Sequence, residues 1–333
     1  MNPLRILGRD VAIDLGAAST QIYVKGKGIV LNEPSVVTRS LATGKVVAVG
    51  ADPAPKGDIL TVRPVSGGVP YDGDLTRHML RHFLKKAHGH PFARPRMVIA
   101  LPSDPTGIIG VTLRNMAYDL EARRVYLVHH GVAAAMGAGL PVKDASGNMV
   151  IDIGCDTTRI AVVSFGALVT ARTIPVGGSD VTRALVAHIR RDHGLVITEA
   201  AAEEAKRGIG TAWKPLRRQA EVPAVDPYTG ERRTVAISAE LVYRATKTPV
   251  ERIARAALDM VEGLSSDLAL DIGDRGVVLT GGGSLLRGLT RRLRQELGIP
   301  VQRAERPVET VALGLGRCVD NLRRIPGELV TRL

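Results

Sequence analysis

The chain has 333 residues, of which 45% are hydrophobic and 3% aromatic. That length exceeds one ordinary core and fits two, and the cores must be filled by Val, Leu, Ile and Ala rather than by rings. The formal charge of +12 suits anionic lipid, nucleic acid or an acidic protein surface, or a solvated basic face with no partner. Arginine pairs such as Arg190 and Arg191 or Arg217 and Arg218 have no interleaved aromatics to stack bases, so a nucleic-acid partner is not expected. Two cysteines, Cys155 and Cys318, without CxxC spacing or a secretory pattern at the start, point to a reducing cytoplasm. No window reaches the roughly 18 apolar residues of a membrane-spanning helix, so membrane contact is expected to be peripheral.

Along the chain, residues 11–37 read as strand, tight turn and strand, with Gly26 and Gly28 marking a second turn. Val98 to Leu101 is a short apolar run stopped by Pro102. Leu113 to Arg123 fits a helix leading to the run Val125 to Val128. The pattern then restarts: MVIDIGCDTTRIAVVSFGALVTARTIPVGG repeats the opening logic, which reads as an internal duplication. Residues 181–213 are rich in helix signals, and the polar stretch Pro215 to Arg233 reads as an exposed loop or hairpin. Ser238 is placed to cap a short helix, with Glu240 one residue short of capping-box spacing. A longer helix is expected over about Val250 to Leu270, and another starting at the glycines of VVLTGGG.

Three glycine-bearing segments follow β-branched runs: Asp14 to Thr20 (DLGAAST), Asp152 to Thr158 (DIGCDTT) and Thr280 to Gly283 (TGGG). Glycine lets a phosphate or ribose approach the backbone closely, and a helix N-terminus attracts anions. Gly281, Gly282 and Gly283 suit that purpose, or a plain strand-to-helix turn. A carboxylate at the end of an apolar strand is costly unless solvated or bonded, and Asp14 and Asp152 together would hold hydrated Mg2+ through water. Ser19, Thr20, Thr157 and Thr158 would donate to phosphate oxygens or cap the turns.

The segments IDLGAAST, VKGKGIVLNEPSVV, VYLVHHGVAAAMGAGLPV, DIGCDTTRIAVVS, AAEEAKRGIGTA, RGVVLTGGGSLLRGL and ETVALGLGR together resemble the bacterial MreB family nearly end to end. VKGKGIVLNEPSVV and LTGGGSLLRGL set that likeness apart from other actin-like proteins, including heat-shock chaperones, sugar kinases and FtsA. The resemblance implies an α/β, actin-like, ribonuclease-H-like duplicated fold with two lobes and four subdomains. The first lobe would cover 1–145, with an insertion at about 30–66 and a C-terminal helix at about 310–333 returning to it. The second would cover 146–309, with an insertion at about 181–245. It implies ATP or ADP with Mg2+ as ligands. Asp14, Gly16, Ala17, Ala18, Ser19 and Thr20 would form the first phosphate loop. Asp152, Gly154, Cys155, Asp156, Thr157 and Thr158 would form the second. Glu203 and Lys206 would hold ribose and adenine, where spacing alone reads as an ordinary i,i+3 surface pair. Gly281, Gly282, Gly283 and Ser284 would form the adenosine loop. Catalytic roles would fall on His130 and Thr158.

The departures from the family pattern fall on the chemistry. His129, His130 and Gly131 stand where the family carries two glutamates and a proline. The second glutamate helps position the attacking water, so slow hydrolysis is expected here; from the residues alone the histidines read equally as a strand end. Cys155 and Asp156 replace glycines of the second phosphate loop, and a carboxylate about 4 Å from a phosphate costs on the order of a few kcal/mol at an intermediate dielectric unless Mg2+ or a shifted pKa intervenes. Arg159 replaces a glutamate and is placed to offset Asp156, and Thr182 replaces an acidic residue after Gly177 and Gly178.

Family resemblance further implies head-to-tail polymers on the inner face of the cytoplasmic membrane, with MreC, MreD and RodZ as wall-elongation partners. Phe92 is the candidate insertion residue, and Leu4, Ile6 and Leu7 lie in an opening segment too short for a convincing interfacial helix; avidity along a filament would compensate. Two rival readings are a nucleotide-insensitive scaffold and an actin-fold ATPase or small-molecule kinase, the latter disfavoured by the lack of an evident substrate-binding insertion.

Overall fold

The computed structural model describes residues 9–52, 56–88, 94–103, 106–215 and 217–322; Leu4, Ile6, Leu7 and Phe92 lie outside them. The chain divides into two units, one of Met1–Val150, Ala161–Ala171 and Val308–Leu333, the other of Ile151–Ile160 and Arg172–Pro307.

In the first unit β1 (Val11–Leu15), β2 (Ser19–Val24) and β3 (Gly28–Pro34) form an antiparallel meander. Val11, Ala12 and Ile13 are all buried, as in a strand covered on both faces. Strands β4 (Val37–Ser40), β5 (Val46–Val49) and β6 (Ile59–Val62) make a separate sheet of order β5-β4-β6, and β7 (Val65–Ser66) pairs with β8 (Val69–Pro70). Helix α1 (Gly73–His88) buries Leu75, Met79, Leu80, Phe83 and Leu84, a helical spacing that aims one stripe at the core. Then follow β9 (Arg96–Leu101), α2 (Ile108–Asp119), β10 (Arg124–His129) and α3 (His130–Gly137). Helix α2 begins and ends earlier than the Leu113 to Arg123 pattern suggests, because Gly107 at φ 74° launches it and Glu121 at φ 64° cannot continue it. Helix α9 (Thr310–Asp320) closes this unit. It crosses α3 backbone to backbone: a Cβ on Gly137 would lie 1.7 Å from Thr310 O, and one on Gly314 1.8 Å from Ala133 O. Only glycine fits at that crossing.

The second glycine turn joins β11 (Asn148–Ile153) to β12 (Thr158–Ser164), and β13 (Ala167–Ile174) follows. In the second unit α4 (Gly178–His193), α5 (Glu199–Ile209), β14 (Gln219–Val225) and β15 (Arg232–Ser238) surround a core that includes Leu185, Ile189, Ile197, Val222, Ile237 and Val242. The polar stretch is the antiparallel β14–β15 hairpin. Ser238 caps α6 (Ala239–Glu262), its Oγ accepting from Leu241 N at 3.1 Å, but α6 is long and runs straight through Pro249. Proline inside a helix loses one backbone bond; the apolar stripe of Val242, Thr246, Pro249, Val250 and Ile253 is buried nonetheless, so packing overrides the local break. Gly263 then ends the helix, and α7 (Ser266–Arg275) is separate, dividing the single helix expected to reach Leu270.

After β16 (Val277–Thr280) the glycines do not open an α-helix. Gly282–Leu285 is one 3-10 turn, and α8 (Leu289–Leu297) begins only after Gly288 at φ 73°. A side chain at Gly288 would strike Trp213 Cβ at 2.5 Å. Strand β17 (Val301–Arg303) pairs parallel with β16.

The two main sheets have the orders β10-β9-β1-β2-β3 and β17-β16-β11-β12-β13. Each has a three-strand meander on one side and two further strands on the other. The duplication read from the sequence is therefore present in the topology.

Candidate functional site

The two glycine turns share one stitch: Gly16 N donates to Ser19 O at 3.1 Å, and Gly154 N donates to Thr157 O at 2.9 Å. In the first turn a side chain at Gly16 would sit 2.6 Å from Ser19 O. Ser35 and Arg63 tie its carbonyls back. Ser35 Oγ donates to Gly16 O at 2.6 Å, Ser35 N to Ala18 O at 3.0 Å, and Arg63 Nη1 to Ala17 O at 3.1 Å. A loop whose carbonyls are already engaged opposes an approaching anion less. Thr20 is fully buried and shares a 2.8 Å hydroxyl contact with Ser35, whereas Ser19 and Asp14 are half-buried and Ala18 is exposed. Ser35 lies in the segment NEPSVV that marks the family likeness; nothing in the sequence around Arg63 signals its role.

His129 ends β10 and His130 starts α3. Burial pushes the His129 imidazole below its ordinary pKa, so it is neutral near pH 7. His130 is 8% exposed. Gly131 leaves room for Ala161, whose Cβ would be only 2.3 Å from a Cβ on residue 131.

The second turn is clasped by the first turn of α4. Gly178 N donates to Gly154 O at 2.9 Å, and Ser179 donates to Cys155 O through both N at 2.9 Å and Oγ at 2.8 Å. Ser179 Oγ also lies 3.2 Å from Asp156 Oδ1, so its one proton is shared. The Asp156 carboxylate thus sits against the N-terminal turn of a 16-residue helix, where the dipole favours an anion. Thr158 is fully buried, and its hydroxyl donates to Val176 O at 2.7 Å. Cys155 is half-buried.

Asp152 ends the apolar part of β11 with 5% exposure. Its Oδ1 accepts from Thr280 Oγ1 at 2.9 Å, and its Oδ2 forms an ion pair with Arg159 Nη1 at 3.8 Å. Thr280 thus holds one carboxylate oxygen and Arg159 sets a positive charge beside the other, a placement that disfavours a hydrated Mg2+ at the same carboxylate.

Glu203 and Lys206 are more than a surface pair. Lys206 Nζ reaches Glu203 at 2.5 Å, Gly178 O at 2.9 Å and Thr182 Oγ1 at 3.0 Å, with its side chain 12% exposed. Thr182 donates to Glu203 Oε2 at 2.6 Å, and Arg207 Nε donates to Oε1 at 2.8 Å. Burial raises the Glu203 pKa, but the bonds from Lys206 and Thr182 outweigh it and hold the carboxyl below its usual range. Thr182 lets α4 and α5 share this network.

Gly281, at φ 78°, has no room for a side chain, which would meet Ile153 O at 2.4 Å and Asp152 Oδ1 at 2.7 Å. Its N–H donates to Pro307 O at 2.8 Å, and Ser284 Oγ donates to Gly281 O at 2.6 Å, which closes the tight turn. Within the second unit Asp152, Cys155, Asp156, Thr158, Glu203, Lys206 and the 281–284 loop are thus joined through α4 and β11. Asp14, Gly16, Ala17, Ala18, Ser19, Thr20 and His130 belong to the first.

Duplicated strand–turn–strand units with matching sheet orders and glycine turns define an actin-like α/β fold. Family comparison carries the assignment further: the family described as MreB/Mbl protein matches residues 8–326. The chain is 39% identical to the cell shape-determining protein Mbl of Bacillus subtilis (strain 168), covering 96% of this chain and 98% of that one. It is 40% identical to the cell shape-determining protein MreB of Escherichia coli (strain K12), covering 97% of each. Among solved structures, MreB 5 of Spiroplasma citri bound to AMPPNP superposes with a TM-score of 0.89 at 27% identity, over 95% of this chain and 97% of that one. A MamK double helical filament, at TM-score 0.76 and 19% identity over 94% of this chain and 99% of that one, shares the fold. The chain belongs to the MreB/Mbl family.

Proposed function

We propose that this protein is a cytoskeletal polymer that determines cell shape, binding ATP or ADP and lying on the inner face of the cytoplasmic membrane, where it organises cell-wall synthesis. One observation carries this reading: the likeness to relatives named for determining cell shape runs through 97% of the chain at 40% identity. Binding of AMPPNP and ADP by MreB5 of Spiroplasma citri supports a nucleotide ligand, as does the half-buried Lys206–Glu203 pair. Asp14 to Ser19 and Gly154 to Thr157 would face phosphate, the Thr20 and Thr158 hydroxyls being buried and bonded to Ser35 and Val176 O; Glu203 and Lys206 would face ribose and adenine, and Gly281 to Ser284 the adenosine. Mg2+ would arrive as the counter-ion of the nucleotide. His130 in place of a carboxylate makes hydrolysis slow. The net charge of +12 suits an anionic membrane, to which Phe92 and Leu4, Ile6 and Leu7 would add weak anchors multiplied along a filament. MreC, MreD and RodZ are the partner class that the family implies.

Sedimentation with and without ATP on anionic liposomes tests this. ATP-dependent pelleting that anionic lipid enhances is expected, and absence of pelleting in every condition overturns the polymer. Asp156 and Arg159 at the second turn favour one other reading, a nucleotide-insensitive scaffold, for which pelleting would be the same with and without ATP.

A further inference from the structure

Arg159 follows Thr158 on β12, and both side chains are inside the second unit, Thr158 at 0% and Arg159 at 8% exposure. The Thr158 hydroxyl is bonded to Val176 O at 2.7 Å, which fixes the strand where Arg159 departs from it. Its guanidinium lies 3.8 Å from Asp152 Oδ2, while Thr280 holds Oδ1 at 2.9 Å. A buried carboxylate needs a compensating charge, and a guanidinium supplies one that stays protonated at any pH a protein survives. The Asp152–Arg159 pair is therefore neutral as a unit. A divalent cation brought to the same carboxylate would have to displace the pair or share the space with a like charge.

We propose that Arg159 supplies, from within the protein, the positive charge that a divalent cation would otherwise bring to Asp152, so that nucleotide binding depends little on Mg2+. This rests on the nucleotide-binding reading above. Arg159 is in this sense a positioning residue: it sets the charge and orientation of Asp152. The resemblance to the family places a glutamate at this position, which would add a second negative charge and increase the demand for a cation; the exchange to arginine reverses that demand.

The test is ATP binding by calorimetry, with excess Mg2+ and with excess EDTA, to the native chain, Arg159→Gln and Arg159→Lys. For the native chain and Arg159→Lys the two conditions should agree within about threefold in affinity. For Arg159→Gln chelation should weaken binding by about tenfold or more, with Mg2+ restoring it. Arg159→Lys keeps the charge and so separates charge compensation from a simple loss of packing. Native binding that collapses on chelation, or Arg159→Gln binding that stays insensitive to it, overturns the proposal. If the native chain fails to bind while Arg159→Gln binds with Mg2+, the nucleotide reading stands and Arg159 is an obstruction, which also overturns it. If no form binds ATP in either condition, the nucleotide reading falls and takes the proposal with it.

Discussion

Thr182 donates its hydroxyl proton to Glu203 at 2.6 Å, linking the first turns of α4 to α5 through a carboxylate that is also met by Lys206 at 2.5 Å. Because the Glu203 pKa is lowered in the folded protein, its contribution is present above the unfolded carboxyl value and is lost as pH falls through the folded one. Thermal melting should therefore lose stability on acidification below about pH 4.3, and Glu203→Gln should flatten part of that loss. Glu203 is partly solvated, so solvent screening limits the difference to about 1 kcal/mol or less. Parallel acid profiles of the native and Gln forms would refute the assignment. Lys206→Met, which leaves Glu203 and Thr182 short of a donor, should cost about 2 kcal/mol, read from urea denaturation.

Asp156→Gly removes a carboxylate from the second turn and should raise affinity for ATP by about tenfold. The gain is held down because Ser179 and the N-terminus of α4 already accommodate the charge. Calorimetry on the two forms measures it, and equal affinities would show that Asp156 is directed away from the phosphates.

His130→Glu places at the start of α3 the carboxylate that the family resemblance implies there. Phosphate release from ATP should accelerate by about tenfold or more, with nucleotide affinity little changed. An unchanged rate would remove His130 from any account of slow hydrolysis.

The two cysteines should differ sharply toward iodoacetamide. Cys318 is 1% exposed, and burial pushes its thiol pKa up to about 11, so the folded protein should protect it. Cys155 is half-buried in the second turn, so it should react first, and saturating ATP should slow it if that turn meets phosphate. Mass-spectrometric mapping of the adducts decides both points; ATP-independent labelling of Cys155 would place the phosphates elsewhere.

Gly314→Ala should destabilise the protein by about 3 kcal/mol, since the added Cβ would fall 1.8 Å from Ala133 O. A urea midpoint within error of the native value would mean that α9 yields easily.

The strand runs around Val11, Val98, Val125 and Val277 were legible because each is short, apolar and bounded by glycine, proline or charge. The duplicated turns were legible because two copies of aspartate, glycine and threonine share one spacing. Helix limits were less so. Pro249 reads locally as a boundary, yet burial of Val242, Thr246 and Ile253 on the same face carries α6 through it. The glycines 281–283 read as a helix start, but Ser284 closes a single tight turn there, and α8 waits for Gly288, a left-handed position beside Trp213 that has no room for a side chain. In the candidate site Arg63 and Ser35 were invisible in role, because they act on Ala17 and Gly16 across 46 and 19 positions of sequence. Spacing made Glu203 and Lys206 an ordinary pair; only the fold brings Gly178 O and Thr182 to them.

The glycine crossing of α3 and α9 has a mechanical side. Helices separated by interlocked side chains can shear a little as rotamers adjust, but two backbones in direct contact have no such bearing surface. Helix α3 starts at His130, and α9 ends at Asp320, where Tyr23 OH donates to the Asp320 carboxylate at 2.7 Å. A shift imposed at His130 should therefore pass from α3 to α9 as through a single strut and be felt at the Tyr23–Asp320 end.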